Sequence, residues 1–129
     1  MMHLPPIRFE AIPHKQHRYE TVGDYYKVNK EWLFKVSKTN ADYEFLVLIH
    51  ELVEWYLTQR KGIKESDISK FDKMFEQERA EGLWDLDEPG NDPRAPYRDE
   101  HIFAESIERT IAKYLKLDWK LYDKTINGL

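Results

Sequence analysis

Apolar residues recur along this chain with two different periods. In the segment Trp32 to Ser37, Trp32, Phe34 and Val36 alternate with Leu33, Lys35 and Ser37, the period of a half-buried strand. The preceding residues are rich in Tyr and Val, and Val28-Asn29-Lys30-Glu31 supplies a turn. These features predict a hairpin of about Tyr19–Val28 and Glu31–Ser37, with Gly23 marking a bulge or bend.

The period then changes to that of a helix. A first helix is expected to begin after Asn40 or Asp42, both competent N-caps, and to end near Lys61-Gly62. Its apolar arc holds Phe45, Leu46, Leu48, Ile49, Leu52, Val53, Trp55 and Tyr56, which makes it central to the core. The arc left over holds Tyr43, Val47, His50, Glu51, Glu54, Thr58 and Lys61. A second helix is expected from Ser66 or Asp67 to Arg79, packing through Ile68, Phe71, Met74 and Phe75. Residues 80–96, rich in Gly, Pro, Asn and Asp, read as a loop. Pro96 can open a third helix, about Tyr97 to Leu115, with Phe103, Ala104, Ile107, Ile111, Tyr114 and Leu115 as its apolar face. After it, Trp119 and Tyr122 are expected to pack a C-terminal tail on the body.

Residues 1–17 contain three of the six prolines without a clear period and are read as an irregular arm. Residues 18–129 are then a single α+β domain, an antiparallel hairpin packed on about three α-helices. The length of 129 residues suits one core. A net charge of −4, with no dense Lys/Arg cluster, argues against nucleic acid as a partner. Cysteine is absent, which excludes thiolate metal sites and agrees with a reducing compartment. No apolar run is long enough to span a membrane, so a cytoplasmic protein is expected.

Two helices each carry a His and a Glu four residues apart, His50 with Glu54 and His101 with Glu105. That spacing puts both side chains on one face, where they can reach one ion. If the two faces meet, His50, His101 and one carboxylate form the His₂Glu set that catalytic zinc commonly uses. Glu51, beside the stripe, is then placed to take a proton from water.

His50-Glu51-Leu52-Val53-Glu54 resembles the His-Glu-x-x-His helix of zincin metallopeptidases, with Glu54 where the second His stands in that family. The resemblance implies His50, Glu54 and His101 as zinc ligands, Glu51 as general base, and a peptide or small-molecule substrate. A second resemblance joins Glu51-x-x-Glu54 and Glu105-x-x-Glu108 to the acidic motifs of all-α nucleoside triphosphate pyrophosphatases, which implies magnesium. Here Glu108 replaces the family's Asp, and a hairpin precedes the helices.

Other readings stay open at this point. His50 and His101 can be structural residues of a non-enzymatic interaction protein, with the 80–96 loop and Trp84 as its contact surface. Asp85, Asp87, Glu88 and Asp92 are acidic but lack the spacing of a calcium loop. Arg94 and Arg98 frame the start of the third helix; they can hold a substrate carboxylate or phosphate, or pair with Asp92 or Asp99.

Overall fold

A computed structural model describes residues 3–83 and 88–129. Three strands, β1 (Ile7–Ile12), β2 (Gly23–Val28) and β3 (Glu31–Ser37), precede four helices, α1 (Ala41–Lys61), α2 (Glu65–Ala80), α3 (Arg98–Tyr114) and α4 (Trp119–Asn127). The architecture is α+β, with the sheet in the order β1-β3-β2.

β2 and β3 form the expected antiparallel hairpin, in which Val28 faces Glu31. Asn29 at the turn has φ of 59°, a left-handed conformation that asparagine tolerates better than most residues. The hairpin begins at Gly23 rather than at Tyr19. The arm read as irregular contains β1, which pairs parallel to β3 with Ile7 opposite Trp32 and Ile12 opposite Ser37. Its alternation of Ile7, Phe9 and Ala11 with Arg8 and Glu10 is a strand pattern. Prolines at 5, 6 and 13 bracket it closely and mask it, although Pro is tolerated where a strand begins or lies at an edge.

The helix boundaries follow local chemistry. The Asn40 side chain accepts from the Tyr43 N–H at the start of α1, and Gly62, with φ of 76°, takes the left-handed position after its end. Asp118 caps α4 in the same way through the Leu121 N–H. The tail after α3 is therefore a fourth helix, short but firmly started, with Tyr122 and Ile126 buried. Two buried clusters join sheet to helices: in one, Trp55 of α1 meets Trp32 and Phe34 edge-on, each at 5.6 Å between ring centres, with Phe71 and Phe75 of α2 beside them; in the other, Val36 of β3 packs with Leu46 and Val47 of α1 and Tyr122 and Ile126 of α4.

The inward faces of α1 and α3 differ from the expected ones. α1 buries Leu46 and Trp55, but also Val47, His50, Glu54 and Thr58 from the arc read as left over. Phe45 and Tyr56 are instead 47% and 39% exposed. α3 buries Glu100, His101, Ala104, Glu108 and Ala112, while Tyr114 of its expected apolar face is 86% exposed. The two helices pack along each other. Polar side chains can occupy that interface because they satisfy one another's hydrogen bonds, which removes most of the cost of burying them. Among the described residues no helix is long and apolar enough to cross a membrane.

A candidate metal centre between two helices

His50 and Glu54 stand one turn apart on α1, and His101 faces them from α3. Their polar atoms converge: Glu54 Oε2 lies 3.2 Å from His50 Nε2 and 3.0 Å from His101 Nδ1. The two nitrogens are themselves 3.1 Å apart. All three residues are buried. A tetrahedral ion with ligands about 2.0–2.1 Å away spaces them roughly 3.3 Å apart, so this triangle is within a few tenths of an ångström of that requirement. Two imidazoles and a carboxylate also match the donors that zinc favours.

Each member of the triangle has a partner behind it. His50 Nδ1 is 2.8 Å from Glu108 Oε1, and Glu108 also accepts from the Tyr122 hydroxyl of α4. His101 Nε2 is 2.8 Å from Glu88 Oε2. The Tyr25 hydroxyl of β2 donates to Glu54 Oε1 at 3.0 Å. Gly90 lies flat against the His101 ring, where any Cβ would fall 2.2 Å from Cγ.

The electrostatics are those of a site that calls for positive charge. Burial by itself would depress both imidazoles, yet hydrogen bonds to Glu108 and Glu54 hold His50 well above the usual histidine range. Bonds to Glu54 and Glu88 outweigh burial at His101 and bring it up to about 10. Burial would raise Glu54, but His101 and His50 hold it down at about 2. Three acceptor-bearing groups this close require protons or a metal ion between them.

Glu51 is different. Burial, reinforced by the charge of Glu54, pushes its carboxyl well above the ordinary range. No hydrogen bond to that carboxyl is found among the described residues. It presses against the backbone of β2, where a Cβ on Gly23 would come within 2.6 Å of Oε1; this close approach explains the glycine. Glu51 and the three converging residues line one cleft of about 130 Å³, together with Tyr19, Asp72 and Tyr97. Asp72, buried on α2, accepts from the hydroxyls of both Tyr19 and Tyr97, and burial raises it to about 7.

The sequence-derived site residues thus divide. His50, Glu51, Glu54 and His101 come together. Glu105 does not join them: it is half-buried and sits 3.6 Å from Arg109. Four residues carry α3 about 40° past His101, whereas seven return it to within about 20° on the other side, so Glu108 faces inward in its place. Arg94 pairs with Asp92 at 2.8 Å and Glu78 at 3.1 Å, and among the described residues neither Arg94 nor Arg98 lines the cleft. Of the four glutamates of the magnesium reading, Glu51, Glu54 and Glu108 line the cleft, Glu108 bonded to His50 and Tyr122, while Glu105 lies beside Arg109. Trp84, Asp85 and Asp87, named for a contact surface or for calcium, lie outside the described residues.

Several members of the cluster were not assigned to it from sequence. Glu108 was named only for the magnesium reading, although it continues the His101 stripe at i+7. Glu88 was named only among the acidic loop residues, since a loop carboxylate has no periodicity to place it. Tyr25 and Tyr122 read as core aromatics because nothing in sequence says where a buried hydroxyl finds its acceptor. Comparison with models of known protein families, with characterised proteins and with solved structures finds no match to this chain.

Proposed function

We propose that this protein binds zinc through His50, Glu54 and His101 and acts as a metal-dependent hydrolase with Glu51 as its general base. The observation that carries the reading is the convergence of Nε2, Nδ1 and Oε2 from two helices to separations of 3.0–3.2 Å. Zinc held by three protein ligands supplies Lewis-acid polarisation and water activation at its open position. The chain's own contribution is orientation and proton transfer. Glu51 borders the cleft, and its carboxyl makes no hydrogen bond to the described residues, which leaves it available to take a proton from water. It takes the proton of the attacking water and returns it to the leaving group. Tyr25 steadies Glu54 from behind, while the walls of the cleft receive a peptide or small-molecule substrate. A cytoplasmic setting agrees with the absence of cysteine.

The test is hydrolysis of a mixed fluorogenic peptide set by the zinc-loaded protein and its Glu51→Gln variant. Turnover by the natural protein alone supports the assignment. Equal turnover by both removes Glu51 from the reaction, and no turnover of peptides, esters or amides by either removes the hydrolase reading.

A further inference from the structure

The partners behind the triangle have a consequence for the chemistry of the two rings. An ionised carboxylate only accepts hydrogen bonds. Glu108, 2.8 Å from Nδ1 of His50, therefore takes the hydrogen bond of Nδ1–H, and Nε2 is the nitrogen that faces Glu54 and His101 and would give up its proton to a metal ion. Glu88 does the reverse at His101: being 2.8 Å from Nε2, it takes the hydrogen bond of Nε2–H, and Nδ1 is the nitrogen that faces Glu54 and His50. From this geometry we infer that Glu108 and Glu88 are positioning residues that hold the two histidines in opposite tautomers, so that a zinc ion is taken by Nε2 of His50 and Nδ1 of His101. The inference rests on the zinc reading above.

The arrangement reaches the last helix. Glu108 is 8% exposed and Tyr122 is 2% exposed, and the Tyr122 hydroxyl donates to the Glu108 oxygen that His50 leaves free. α4 thereby fixes a carboxylate that fixes a ligand, and the chain Tyr122–Glu108–His50 ties the C-terminal helix to the metal position. At His101 the corresponding brace is steric as well as polar. The missing side chain at Gly90 lets the backbone of the Pro89–Asn91 turn lie against the ring, so the ring cannot flip to exchange its nitrogens without moving that turn. A ligand orienter of this kind typically contributes 10-fold to 100-fold to metal affinity.

The direct test is long-range proton–nitrogen NMR on the uniformly ¹⁵N-labelled, zinc-loaded protein, which reads which nitrogen of each ring carries the proton. The expected result is a proton on Nδ1 of His50 and on Nε2 of His101. Coordination through the same type of nitrogen in both rings overturns the inference while leaving zinc binding intact. A natural protein that takes up no zinc overturns the zinc reading itself, so the two failures are distinct. Competition titrations with a zinc chelator supply the second arm. Glu108→Ala is expected to bind zinc roughly 10-fold to 100-fold more weakly, with most of the loss restored in Glu108→Gln, whose amide oxygen still accepts from Nδ1. Tyr122→Phe should fall between them. If Glu108→Ala does not fold, Glu108→Gln and Tyr122→Phe are read by the NMR experiment alone. Natural affinity in a folded Glu108→Ala contradicts the positioning role.

Discussion

Replacing Glu51 by glutamine keeps its size and removes only its capacity to take a proton. Zinc uptake should be unchanged and hydrolysis should fall by about 100-fold or more; a variant that loses zinc would show that Glu51 is a ligand instead. Asp72 offers a pH test away from the triangle. Its folded-state pKa of about 7 exceeds the ordinary aspartate value, so the native state holds a proton that the unfolded chain has released. The stability this contributes is complete below about pH 4 and is lost as pH rises toward 7. Asp72→Asn, whose Oδ1 still accepts from one tyrosine while its Nδ2 donates to the hydroxyl oxygen of the other, should therefore flatten the denaturation profile between pH 4 and 8 and exceed the natural protein at pH 8 by about 1 kcal/mol or more. An unchanged pH dependence would mean that Asp72 titrates normally. At this scale the sequence was informative where chemistry follows spacing. His50 and Glu54 announce themselves at i and i+4, whereas Glu88 and Tyr25 join the cluster only through tertiary contact.

At the scale of elements, caps and periods marked α1 and α3 well, whereas α2 begins at Glu65 without a side-chain cap and α4 was read only as a tail. Asn40 and Gly62 bound α1 where their chemistry predicts, and Asn40→Ala should cost about 1 kcal/mol of unfolding free energy in urea titrations. Polarity was a poorer guide to which face turns inward. His50, Glu54 and Thr58 look like a wet edge by hydropathy, yet they are buried on α1, since a polar stripe that meets its complement no longer needs water. β1 was missed for a related reason: six residues between prolines give too short a pattern to stand out, and a parallel pairing with β3 leaves no turn signature. The closeness of β2 to α1 yields a sharper prediction. Gly23→Ala must displace the Glu51 side chain, whose Oε1 lies where the new methyl would sit. It should cut hydrolysis while leaving zinc affinity within about twofold, because Glu51 is not one of the converging residues. Full activity in this variant would show that the Glu51 position does not matter.

For the whole molecule, the proposed metal position lies where α1 and α3 meet, with β2, α4 and the Pro89–Asn91 turn each supplying an outer contact. The α+β class was legible from the order of strand and helix periods, while the assembly of these five pieces around one point was not, because it depends on which faces meet. A ligand held at such a junction links their stabilities. At free zinc about 100 times its dissociation constant, mass action adds about 2.7 kcal/mol, a rise in Tm on the order of 10 °C for a chain of this size, reversed by a chelator. The hydrophobic core should be separable from this effect: Trp55→Ala, at a residue 1% exposed, should cost about 3–5 kcal/mol with or without zinc. The central claim is the metal itself, and its most direct measurement is metal content by plasma mass spectrometry on untagged protein, before and after incubation with zinc, beside His50→Ala and His101→Ala. The account predicts about one zinc per chain in the natural protein and loss of zinc in both variants. A natural protein that takes up no zinc from excess, or variants that retain it, would contradict the claim.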